Sequence, residues 1–128
     1  MNGIQSKAII TGICFLLILL SGFWLSRSGK PYPVVVLTIH KLITVGTIIY
    51  LAINLARANS STPLGGRQVA ALALTAACFL IMLATGGLLS VDKSMPAIVN
   101  RLHQILPYLT VVSAGITVYL MFFARAEP

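Results

Sequence analysis

Acidic side chains are nearly missing from this chain. Asp92 and Glu127 are the only two among 128 residues, set against nine lysines and arginines. No pair of carboxylates stands ready for general acid–base work, and the apolar runs hold no carboxylate with which a transporter would couple ions. Charge of either sign is scarce, at 9% of residues. Cysteine and histidine are scarcer still: Cys14 and Cys78, His40 and His103. Nothing resembles an activated nucleophile or a phosphate-cradling loop.

What is abundant is apolar surface. Hydrophobic residues make up 58% of the chain and the mean hydropathy is +0.97, far from the averages of soluble domains. Four runs approach the ~20 residues that a helix needs to cross a bilayer: Ala8–Ser26, Pro33–Ala56, Gln68–Leu89 and Ala97–Ala124. Lipid offers unpaired backbone groups no partner, so helices are the expected spanning form. Lys7 ahead of an apolar run has the look of a signal peptide, but the run lacks a convincing small-x-small cleavage site and matches the third span in the repeat described below, so it is expected to stay in the mature protein.

The net charge of +7 does not read as nucleic-acid binding here. The cations fall mainly at span ends, where they can snorkel to headgroups or meet a bound anion. Lys7, Arg57, Arg67 and Arg125 lie on the amino-terminal side, and Arg27, Lys30, Lys93 and Arg101 on the other. Four against four leaves the positive-inside rule almost silent. An even number of spans puts both termini on one side, expected to be the cytoplasmic side of a bacterial inner membrane.

The chain also looks written twice. "TGICFLLILLSGFWLS" (Thr11–Ser26) aligns with "TAACFLIMLATGGLLS" (Thr75–Ser90), and eight of the sixteen positions are identical, Cys14/Cys78 and Gly22/Gly86 among them. With one residue fewer in the connection, Lys30 then pairs with Lys93, Pro33 with Pro96, and His40 with His103. The expected fold is therefore an all-α membrane protein: four transmembrane helices in an up-down-up-down bundle, built as a tandem repeat of two-helix hairpins. It is a single transmembrane domain over 1–128, with repeat units at about 8–60 and 68–125. Copies of a two-span unit run in the same direction, about an axis along the membrane normal.

Each histidine stands seven residues after the proline that opens its helix. At 1.5 Å per residue both lie about 10 Å deep. In the expected bundle helices 2 and 4 are diagonal, so the two imidazoles can point at each other across its axis. Ionisable groups at membrane depth are functional candidates. The blander alternative has them satisfied by Thr44 and Thr47 on one helix, or by Asn100 and Gln104 on the other.

Zinc suits the pair poorly, since a structural site needs four ligands and a catalytic one usually three. Cys14 sits about 18 Å from its helix end, too deep to share an ion with the histidines. Haem needs only two axial ligands, one on each face of the ring. A diagonal helix pair, at roughly 11–14 Å, leaves about the gap that two imidazoles and an iron fill. Ser21-Gly22 and Thr85-Gly86-Gly87 supply small residues at that depth on the flanking helices, where Gly22 and Gly86 are expected to admit the macrocycle edge. Lys41, Arg101, Lys30 and Lys93 gather on the same side and suit propionates. No Cys-x-x-Cys-His is present, so the haem is expected to be a single non-covalent haem b.

His40 and His103 on paired spans, the basic Lys41 directly after His40, and Gly22/Gly86 together resemble the cytochrome b561-like four-helix membrane cytochromes. Members with two haems carry a second histidine pair towards the other surface, and this sequence has none. One bis-histidine haem and electron transfer with a quinone or a redox protein are the expectations that follow. The partners would be membrane lipid, a lipid quinone, a soluble cytochrome or a larger redox complex, and no nucleic acid. Two haem-free alternatives stand beside this: a small transporter or channel with His40, Thr44, Thr47 and Asn54 lining a path, and a structural subunit packing through small residues.

Overall fold

The computed structural model describes residues 3–91 and 93–124. Asp92, Arg125 and Glu127, used above in reading charge and orientation, lie outside the described residues. Four helices account for nearly all the rest: α1 (Gly3–Ser28), α2 (Val34–Ser61), α3 (Gly66–Leu89) and α4 (Ala97–Val118). A π-helical turn, Tyr119–Phe123, carries α4 onward, with Ala124 N–H donating to the Tyr119 carbonyl at 3.0 Å. Among the described residues there is no strand. All four helices are long and apolar enough to cross a membrane, as expected.

The helices overrun the apolar runs at several ends. Thus α2 continues past Ala56 to Ser61, through Arg57, Asn59 and Ser60. Hydropathy marks only the part of a helix that lipid tolerates, whereas the backbone ladder continues into polar surroundings. There Ser60 and Ser61 donate their hydroxyls back to the Arg57 and Ala58 carbonyls.

The chain divides into two compact helical hairpins, α1–α2 and α3–α4. In the first, Gly29 follows α1 at φ +67°, the left-handed conformation that commonly ends helices and that a side chain disfavours. Pro33 then precedes α2 and its carbonyl takes the Leu37 N–H at 3.0 Å. In the second, the Gly65 N–H donates to Gln68 Oε1 at 2.9 Å to begin α3. A Cβ on Gly65 would lie 2.7 Å from that same oxygen, so a larger residue there would require the Gln68 side chain to shift. Pro107 sits inside α4. Lacking an N–H, it removes the helical donor that would otherwise reach the His103 carbonyl four residues back.

Each hairpin turns large apolar side chains outward, among them Leu16, Trp24 and Leu42 in the first and Leu80, Ile105 and Val112 in the second. That is the arrangement a lipid environment favours, the reverse of a soluble domain. Small hydroxyl residues are buried alongside Phe15, Ile18, Leu25, Leu51, Leu89 and Met121. Thr11, Thr47, Thr110 and Thr117 each return a hydroxyl hydrogen to the carbonyl four residues earlier, at 2.7–2.9 Å. Thr75 Oγ1 meets Thr117 Oγ1 at 2.9 Å between α3 and α4. Because the Thr117 hydrogen is given to Ser113, Thr75 is the donor in that pair. Among the described residues no buried side-chain nitrogen or oxygen is left without a partner. Thr11 and Thr75, Leu25 and Leu89, Thr47 and Thr110, Leu51 and Ala114, and Asn54 and Thr117 are buried at aligned positions, whereas the buried Phe15, Ile18, Cys78, Thr85 and Ser113 align with half-buried residues.

Candidate functional site: an imidazole held in each hairpin

The hairpin turn sets the register at which helix partners meet. In the first hairpin, Ser21 lies seven residues before the end of α1 and His40 seven after Pro33. Both therefore sit about 10 Å from the turn at 1.5 Å per residue. Their side chains meet: Ser21 Oγ is 2.8 Å from His40 Nδ1. The next residue on α1, Gly22, lies against the same ring. A Cβ built there would stand 3.2 Å from His40 Cε1, tighter than ordinary carbon contact.

The second hairpin makes the same arrangement from different residues. Thr85 Oγ1 is 2.9 Å from His103 Nδ1, and a Cβ on Gly86 would come within 2.9 Å of His103 Cε1. Both imidazoles are half-buried. Thus each hairpin holds one imidazole by its Nδ1 edge, with a glycine admitting the Cε1 edge.

Four of the expected site residues are in this way brought together in pairs: His40 with Gly22, and His103 with Gly86. The neighbour each glycine serves is its own hairpin's imidazole. Lys41 and Arg101 are exposed. The hydroxyl partners Ser21 and Thr85 were named from sequence only as small residues at the right depth. The available signal was stronger than that. A hydroxyl residue directly precedes the glycine in both copies, so the pair Ser21/Thr85 keeps its chemistry while its identity changes.

Several of the residues proposed from sequence as alternative partners of the imidazoles bond within their own helix. Thr44 donates to the His40 carbonyl at 2.7 Å, Thr47 to the Ile43 carbonyl, and Asn54 to the Tyr50 carbonyl. Gln104 Nε2 reaches Asn100 Oδ1 at 3.4 Å. Along the stripe His40, Thr44, Thr47 and Asn54, these hydroxyl and amide donors are thus turned back onto the helix that carries them. Comparison with protein-family models, curated proteins and solved structures returns no match.

Proposed function

We propose that this chain is a membrane b-type cytochrome in which His40 and His103, one from each hairpin, are the axial ligands of a single non-covalent haem b. The observation that carries the reading is the repeated hold on the imidazoles: Ser21 on His40 Nδ1 at 2.8 Å and Thr85 on His103 Nδ1 at 2.9 Å. Metal-ligating histidines almost always have the second ring nitrogen hydrogen-bonded, which fixes the ring and leaves the other nitrogen for the metal. Two hydroxyl–imidazole–glycine units at matched sequence positions suit a cofactor that takes two similar ligands.

Haem held by His40 and His103 would supply a one-electron Fe(III)/Fe(II) couple rather than oxygen chemistry. Electron transfer is the role that remains. Gly22 and Gly86 leave room for the His40 and His103 rings, and Lys41 and Arg101 would supply cations for the propionates. A lipid quinone or a redox protein is the partner class, and the bacterial inner membrane with cytoplasmic termini is the setting we assign. The resemblance to cytochrome b561-like bundles, which rests on the histidines, Lys41 and the two glycines, points the same way.

The visible spectrum of the purified protein, oxidised and dithionite-reduced, tests the reading. A Soret band with sharp reduced α and β bands of six-coordinate low-spin haem is expected, with the pigment extractable into acidic acetone. A colourless preparation that also refuses added haemin would overturn it.

A further inference from the structure

A hydroxyl has one hydrogen to give. In the first hairpin, Ser21 Oγ lies 2.8 Å from the Leu17 carbonyl and 3.1 Å from the Ile18 carbonyl. Both are pure acceptors, so the serine hydrogen is directed at them and not at the imidazole. The 2.8 Å contact with His40 Nδ1 must then run the other way, with Nδ1–H donating to the serine oxygen. Thr85 repeats the count in the second hairpin. Its Oγ1 lies 2.8 Å from the Ile81 carbonyl and 3.2 Å from the Met82 carbonyl, which leaves His103 Nδ1–H as the donor across 2.9 Å.

A neutral imidazole carries one N–H, so a hydrogen on Nδ1 leaves the lone pair on Nε2. From this we infer that Ser21 and Thr85 are positioning residues: their hydroxyls select the Nδ1–H tautomer of His40 and His103 and orient each ring with Nε2 as the ligating nitrogen. The ligating role rests on the haem reading, whereas the tautomer does not. Selection is needed because a neutral imidazole in water favours the opposite form, hydrogen on Nε2, which blocks ligation through that atom. The carbonyls of one helix turn orient the hydroxyl, and the hydroxyl orients the ring.

Selective ring-15N histidine labelling of the apoprotein in nanodiscs, at a pH well above the ordinary histidine value of about 6.5, reads the tautomer directly. Wild type should show Nδ1–H and an unprotonated Nε2 for both residues. Ser21→Ala should move only His40 toward Nε2–H, and Thr85→Val only His103, while Ser21→Thr and Thr85→Ser should keep the wild-type signals. Haem retention should fall by roughly 10-fold to 100-fold in the two hydroxyl-less variants and recover in the two conservative ones. Wild-type histidines already in the Nε2–H form would overturn the inference, as would hydroxyl-less variants whose ring signals do not move. A wild-type chain with Nδ1–H rings that takes up no haemin would instead uphold the tautomer selection and overturn the haem reading alone.

Discussion

Gly86→Ala and Gly22→Ala should differ in severity, and the difference follows from two distances. An alanine Cβ at position 86 would stand 2.9 Å from His103 Cε1; at position 22 it would stand 3.2 Å from His40 Cε1. Ordinary carbon–carbon contact is about 3.5–4.0 Å, so the first needs a shift of at least ~0.6 Å and the second about half that. The element that yields is the imidazole, because a ring at the end of a side chain moves more easily than two helix backbones. Turning His103 away stretches its 2.9 Å bond to Thr85, worth about 1 kcal/mol. Residual overpacking adds an amount toward the lower end of the ~1–3 kcal/mol range. Against this, alanine favours a helix interior over glycine by about 0.8–1.0 kcal/mol. For Gly86→Ala these terms leave a net cost of about 1 kcal/mol in the apoprotein, whose melting should fall by a few degrees. Haem occupancy should fall clearly, because the ring is misdirected. Gly22→Ala, with half the overlap, should melt at or slightly above wild type and keep most of its haem. Gly22→Leu and Gly86→Leu should both lose haem ahead of apoprotein stability. The assay is paired: apoprotein melting by circular dichroism in detergent, and haem-to-protein ratio after reconstitution. If Gly22→Ala proved as damaging as Gly86→Ala, or if apoprotein stability fell before occupancy did, the glycines would be packing residues and the steric argument would be refuted.

His40→Ala and His103→Ala should each abolish or severely weaken haem binding, to a similar degree, as read from the reduced-minus-oxidised spectrum. Loss in only one of them would point to a five-coordinate site. Asn54→Ala, whose amide bonds the Tyr50 carbonyl of its own helix, should keep the wild-type spectrum. Thr75→Val removes the donor to Thr117 while nearly preserving shape, and should cost about 0.6 kcal/mol, the average found for such bonds between membrane helices. The measurement is unfolding in mixed micelles, and a loss above ~2 kcal/mol would mean that the threonine pair carries more than one hydrogen bond's worth of packing.

The number and approximate extent of the helices were legible in the sequence because lipid imposes a one-dimensional constraint. A span must be about 20 residues long and apolar throughout, and length and hydropathy are properties of a string. The depth of His40 and His103 was legible for the same reason, since it is counted along a helix of fixed rise from an opening proline. What each imidazole touches was not. The sequence offered Thr44, Thr47, Asn100 and Gln104 as neighbours on the same helix, yet the partners are Ser21 and Thr85 on the other helix of each hairpin. Two quantities absent from a string decide that: the rotation of one helix against another, and the rotamer of a hydroxyl able to serve its own backbone or its neighbour. Gly22 and Gly86 could be read as room at the right depth, but which group occupies the room depended on a ring edge 2.9–3.2 Å from where a Cβ would stand. Hydropathy and helical rise therefore set the spans and the depth of the histidines, whereas helix rotation and the direction of single hydrogens, which exist only once two helices have packed, set how each imidazole is held.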